Sequence, residues 1–112
     1  MSLKIDRLNS TFVKEISKIL STEVKEKNIK FVTVTGCDIS NDLSIAKVYF
    51  TVLDETKLED TIKALEHAKK YIRGEISKRI NIRHTPELRF IFDESIDYGK
   101  KIDRIIDRLN NK

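Results

Sequence analysis

Seven cationic side chains crowd into the stretch HAKKYIRGEISKRINIRHTPELRF, residues 67–90: Lys69, Lys70, Arg73, Lys78, Arg79, Arg83 and Arg89, against two acids, Glu75 and Glu87. Of the chain's 22 Lys and Arg and 18 Asp and Glu, the other 88 residues therefore hold 15 and 16, so the positive charge is local and the remainder is slightly acidic. Guanidinium forks can grip two oxygens of one anion, and lysine adds a mobile point charge. Such a cluster suits the phosphates of a polyanion, where released counterions drive association. It does not suit proton transfer or nucleophilic attack.

The spacing supports one surface. Ile62, Leu65, Ala68, Ile72, Ile76 and Ile80 recur at helical intervals, and on that wheel Lys70 and Lys78 point away from the apolar stripe while Arg73 flanks it. Arg79, Arg83, His84 and Arg89 fall at the helix end and along the strand that follows. Exposed aromatic residues are few, so shaped, largely double-stranded RNA or its backbone is expected in preference to free bases. Lysines that merely solvate a helix face are the bland alternative. An acidic protein partner is the competing one, in an adaptor whose basic face meets it and whose last helix supplies apolar contacts.

Catalytic signals are scarce. Gly36, Gly74 and Gly99 lie too far apart for a phosphate loop, and no serine sits in a G-x-S-x-G elbow. His67 and His84 have no carboxylate or nucleophile placed beside them by the sequence, and the lone Cys37 on a strand reads as a small buried hydrophobe. With one cysteine and two histidines, no zinc site is expected, and neither is a disulfide. The reading is a protein that is not an enzyme, with no cofactor and no metal. Gly74, inside a helix, reads as a close packing contact.

The elements that must carry the cations follow from periodicity. Ile5, Leu8, Phe12, Ile16, Ile19, Leu20 and Val24 predict an amphipathic helix fading near Asn28. The run IKFVTVTGCDIS is a strand whose apolar parity switches between Val34 and Cys37, which a bulge at Gly36 would correct. SNDL is a turn, and SIAKVYFTV a second strand with Ala46, Val48, Phe50 and Val52 on one face. Thr56 and Glu59 have capping-box spacing before a long helix from near Leu58. Lys69 would lie close to the apolar stripe of that helix, so a kink or break is expected at residues 68–70. Pro86 opens a third strand with Leu88, Phe90 and Phe92 inward, and Ser95 can cap a last helix over 95–112.

The 112 residues suffice for one domain, 1–112, and no run of apolar residues long enough to span a membrane occurs, so a cytoplasmic protein is expected.

In that order, the segments FVTVTGCDISNDLSIAKVYFTVL (31–53), LEHAKKYIRGEISKRINIRHTPELRFIFDES (65–95) and YGKKID (98–103) resemble ribosome-binding factor A of bacteria and organelles. The resemblance runs from about Arg7 to Leu109. It implies an α+β, type II KH-like fold: helix, strand, strand, helix-kink-helix, strand and a C-terminal helix, with a three-stranded mixed sheet covered on one face. It also implies a monomeric RNA-binding protein of the small ribosomal subunit, acting in late maturation and 5′-end processing of its rRNA, most needed in the cold and released with help from a GTPase. The family's Ala-x-Gly kink maps onto Ala68, Lys69 and Lys70, where Lys70 replaces the glycine and adds a cation. The matching RNA-facing positions are Lys69, Lys70, Arg73, Lys78, Arg79, Arg83 and Arg89, with Arg7 and Lys47 as weaker candidates.

Overall fold

The computed structural model describes residues 3–29 and 31–94. The order is α1 (Leu3–Thr22), β1 (Val32–Ile39), β2 (Ile45–Val52), a 3-10 turn (Glu55–Lys57), α2 (Leu58–Arg79) and β3 (Glu87–Phe92). The last helix expected from Ser95 lies outside the described residues.

The stripe of α1 is the deepest part of the core, with Phe12, Ile16 and Ile19 fully buried and Leu20 nearly so. The helix stops at Thr22, short of Asn28. Ser21 and Thr22 both turn their hydroxyls onto the Lys18 carbonyl, and residues 25–28 offer no apolar side chain to hold a further turn against the sheet. The chain instead turns through an Ile29 N–H to Glu26 C=O bond of 3.0 Å, which drops Ile29 into the core.

β1 and β2 pair antiparallel, and the register shifts between Val34 and Gly36. The extra residue puts Cys37 opposite Val48 and Ile39 opposite Ala46, on the same face as Val34 opposite Phe50, so the bulge does what the parity switch required. At the hairpin end the Asp42 carboxylate accepts from the Ser40 and Ser44 hydroxyls at 2.7 Å each and from the Ser44 N–H at 3.1 Å. The Ser44 hydroxyl first, then that of Ser40, holds the Asp42 carboxyl down at about 2. This cage supports Leu43 at φ 61°, a left-handed conformation that a leucine adopts only at a cost.

α2 begins at Leu58 as its spacing predicts, but the cap differs. Asp54, not Thr56, is the acceptor: its carboxylate takes the Thr56 N–H at 3.0 Å and the Thr56 hydroxyl at 2.6 Å, closing the 3-10 turn that leads into the helix. The helix then runs unbroken for 22 residues. The break expected at Ala68–Lys70 is absent, and no residue of α2 has positive φ. Lys69 does lie close to the apolar stripe, with its side chain 25% exposed, but its ammonium is 3.0 Å from Glu66 one turn back. A local ion pair therefore accommodates the charge without breaking the helix.

β3 lies parallel beside β2, giving the order β1-β2-β3 in a mixed sheet. Ala46, Val48, Phe50 and Leu88 are fully buried beneath α1 and α2. The other face shows Thr33, Asp38, Lys47, Glu87 and Arg89 exposed, with no helix over it among the described residues. Thr61, buried in the first turns of α2, aims its hydroxyl at the Asn28 carbonyl (3.0 Å) and at its own helix's Lys57 carbonyl (2.9 Å), tying the loop after α1 to α2. Thr61→Val keeps the volume and removes the donor, so urea unfolding should show a loss of about 1–2 kcal/mol with an unchanged m-value.

Candidate nucleic-acid interface

Along α2 the positions 70, 73, 74 and 77 share one side of the helix, away from the buried Ile72 and Ile76. With Arg83, His84 and Thr85 of the connection to β3 they enclose a hollow of about 400 Å³. Arg73 is held across it: Nε donates to the Pro86 carbonyl at 3.2 Å and Nη2 to the Thr85 carbonyl at 2.7 Å. Those bonds use two of the five guanidinium N–H groups and leave the rest for an anion. Because the fork is already fixed, little side-chain entropy is lost when it is used.

Among the described residues, no carboxylate lies within ion-pair distance of Lys70, Arg73 or Arg83. Arg83 also lines an adjoining hollow of about 610 Å³ that includes Arg7 of α1 and Asn41 of the hairpin turn. Residues from α1, the hairpin turn, α2 and the 80–86 connection thus meet at one end of the molecule.

The remaining cations of the segment are placed otherwise. Lys69 pairs with Glu66, and Lys78, although widely exposed, lies 3.3 Å from Glu75. Arg79 is a hub between helices: its guanidinium reaches Glu23 closely, Glu75 at 3.3 Å and Glu15 at 3.6 Å, fastening α1 to the end of α2. Lys47 and Arg89 are register partners on β2 and β3, on the sheet face turned away from the helices, and Arg89 has Glu87 at 3.9 Å. The nine basic positions therefore divide. Among the described residues, Lys70, Arg73, Arg83 and Arg7 come together without an ion pair, four others sit in ion pairs, and Lys47 is on a different face.

Three lining residues, Gly74, Ser77 and Thr85, are not singled out as site residues by the sequence. Ser77 could have been found from its spacing of seven from Lys70, which places both on one helix side. Gly74 was read as a packing contact, and the structure overturns that: an added Cβ there would meet nothing within 4 Å.

Other chemistry finds little support. Burial, with the Asp38 charge adding to it, pushes the Cys37 thiol up to about 12, so it stays protonated and a poor nucleophile at neutral pH. Among the described residues no group of three His, Cys, Asp or Glu could hold a metal ion, and no helix is long and apolar enough to cross a membrane.

A helix, an antiparallel pair, a long helix returning across one sheet face and a third strand parallel to the second make up a mixed three-stranded α+β sheet of the type II KH-like class. On that fold the unpaired cations define a basic surface at the end of the second helix. The fold is shared with a crystal structure of ribosome-binding factor A from Thermus thermophilus: TM-score 0.71 at 21% identity, covering 78% of this chain and 93% of that one. It is shared as well with coordinates for the Thermus thermophilus factor fitted into the cryo-EM map of a 30S complex, with TM-score 0.65 at 19% identity over 79% and 93%. The sequence profile of ribosome-binding factor A matches residues 4–106. The factor of that name from Macrococcus caseolyticus is 46% identical over 111 residues, 98% of this chain and 97% of the relative. The chain belongs to the ribosome-binding factor A family.

Proposed function

We propose that this chain binds the small ribosomal subunit through its rRNA, with the basic surface at the end of α2 as the contact. On this reading it assists late maturation of that subunit, including 5′-end processing of its RNA. It acts as a single monomeric unit over residues 1–112 in the cytoplasm, is most needed in the cold, and leaves with help from a GTPase.

One observation carries the reading. Among the described residues, Lys69, Lys78 and Arg79 are neutralised by carboxylates, while Lys70, Arg73 and Arg83 are left without one around a single hollow. Cations that only solvate a surface have no reason to converge, whereas a phosphate backbone supplies the missing partners. The family's name, and the 30S complex into which the Thermus relative has been fitted, supply the polyanion.

A sucrose gradient tests it. The protein should travel with free small subunits, and with about 4 phosphate contacts the logarithm of affinity should fall against log salt with a slope of roughly −3 to −4. Lys47→Glu with Arg89→Glu, on the other sheet face, should leave that slope nearly unchanged. Protein left at the top of the gradient, or association indifferent to salt, would tell against the reading.

A protein-docking reading on a surface other than the basic face has an observation of its own. Leu53, 76% exposed, and Phe31, 61% exposed, rim a hollow of about 410 Å³ at the opposite end of α2, which offers a protein partner apolar contact. A complex that survives nuclease and contains no rRNA would favour it.

A further inference from the structure

Gly74 is the position on α2 that the fold does not explain. Its φ is not positive, and a Cβ at this site would meet nothing within 4 Å among the described residues, so neither backbone conformation nor packing among them calls for glycine. Alanine would fit and would favour the helix. The missing side chain has another consequence, because Gly74 lies on the wall of the basic hollow, with Lys70 one turn before it, Ser77 one turn after it, and Arg83, His84 and Thr85 across from it. At this point the helix surface is open to close approach.

Two further details favour an anion there. Bare backbone carbonyls would repel one, but the Ser77 hydroxyl donates to the Gly74 carbonyl at 2.7 Å, and Arg73 covers the carbonyls of Thr85 and Pro86. Those three carbonyls are thus occupied while the cations Lys70, Arg73 and Arg83 keep donors to spare. A volume of about 400 Å³ admits a phosphate together with part of its flanking riboses.

Resting on the reading that this surface meets RNA, we propose that the hollow seats one phosphodiester group of the RNA backbone, with Gly74 as the floor that lets it settle against α2. The sugar-phosphate chain enters along the open side, and the three cations share its single negative charge. No base is read at this position, so the seat fixes the register of the protein on the RNA without selecting a sequence.

The test fills the seat without changing charge. Gly74→Ala and Gly74→Leu are prepared in the full chain, and binding to purified small-subunit RNA is measured across a salt series. Both variants should melt at or a few degrees above the parent. Affinity should fall stepwise, by about tenfold or more for leucine and less for alanine, and the salt slope for leucine should become shallower by about 0.7–0.9, the share of one phosphate. Parental affinity for Gly74→Leu, or a loss with the slope unchanged, overturns the seat. Should leucine disturb the helix, Gly74→Ala decides, since its methyl meets nothing within 4 Å among the described residues.

If Lys70→Glu with Arg83→Glu loses the RNA while Gly74→Leu keeps it, the basic surface stands and the seat falls. If neither loses it, both fall. Inorganic phosphate, titrated against amide resonances, should move Gly74 and residues 83–85 only weakly and be displaced by RNA. A tight phosphate site that RNA cannot displace would make this a free-phosphate site and overturn the proposal.

Discussion

Lys70→Glu combined with Arg83→Glu is expected to weaken binding to the small ribosomal subunit by about 100-fold or more while the protein stays folded. Both side chains are exposed, and neither has a carboxylate partner among the described residues, so their reversal breaks no internal interaction. Surface changes of that kind shift stability by only about 0.5 kcal/mol. On RNA, each reversal removes one phosphate contact and adds a repulsion, and a factor of ten per site corresponds to about 1.4 kcal/mol. The salt slope should become shallower by roughly 1.5–2 for the same reason. Co-sedimentation reads the affinity and circular dichroism reads the fold. Unaltered co-sedimentation with an unaltered spectrum would remove the case for this surface. Arg79 is the wrong residue for the experiment, despite lying in the same charged run. Its guanidinium joins Glu15 of α1 and Glu23 just beyond that helix to Glu75 of α2, so its loss would loosen the helix pair and confuse folding with binding.

That contrast marks the limit of what the linear chain discloses. Lys70 and Arg79 are both cations on one helix in a segment of surplus positive charge, but Lys70 points away from the apolar stripe while Arg79, seven residues after Ile72 and three after Ile76, lies toward it. Their difference in pairing is set by Glu15 and Glu23, more than fifty residues upstream, and it arises only when α1 packs across α2. Lys47 and Arg89 separate from the site for a similar reason, since strand parity sends them to the far face once β3 pairs with β2. The fold itself was easier to read, because its signals are local. The stripe of α1 and the alternation of β2 each repeat several times, and the parity switch between Val34 and Cys37 places the bulge to within one residue, the position unpaired with β2 being Thr35 beside the expected Gly36. The failures were local as well. A kink or break in α2 is expected from the position of Lys69 and from the family's Ala-x-Gly kink, yet Glu66, three residues earlier, is available to neutralise that charge within a continuous helix. Gly74 was assigned to packing because a mid-helix glycine usually serves that purpose, and only coordinates show that nothing packs there.

Phe50→Ala should be the most damaging single change to the fold, lowering unfolding free energy by about 3–5 kcal/mol. A domain of this size holds about 5–15 kcal/mol in all, so the variant would stand close to the edge of the folded state. Phe50 is fully buried in the central strand, paired with Val34 of β1 on one side and Phe92 of β3 on the other. Its ring meets that of Phe92 edge to face at 6.0 Å and 65°. Collapse into the vacated space is restricted because β2 is hydrogen-bonded along both edges and carries α1 and α2 over its buried face, so the cavity cost adds to the transfer cost. Phe92→Ala, at a half-buried site on the sheet's margin, should lose clearly less. The site would feel the change through β3, since the carbonyls of Thr85 and Pro86 that hold Arg73 lead directly into that strand. Urea titration should therefore show a large fall in midpoint with m unchanged, and RNA binding by the fraction still folded should keep the parental salt slope. A loss below about 1 kcal/mol would mean that the sheet relaxes around its centre, and it could not then be the rigid base that keeps Arg73 and Arg83 facing one anion.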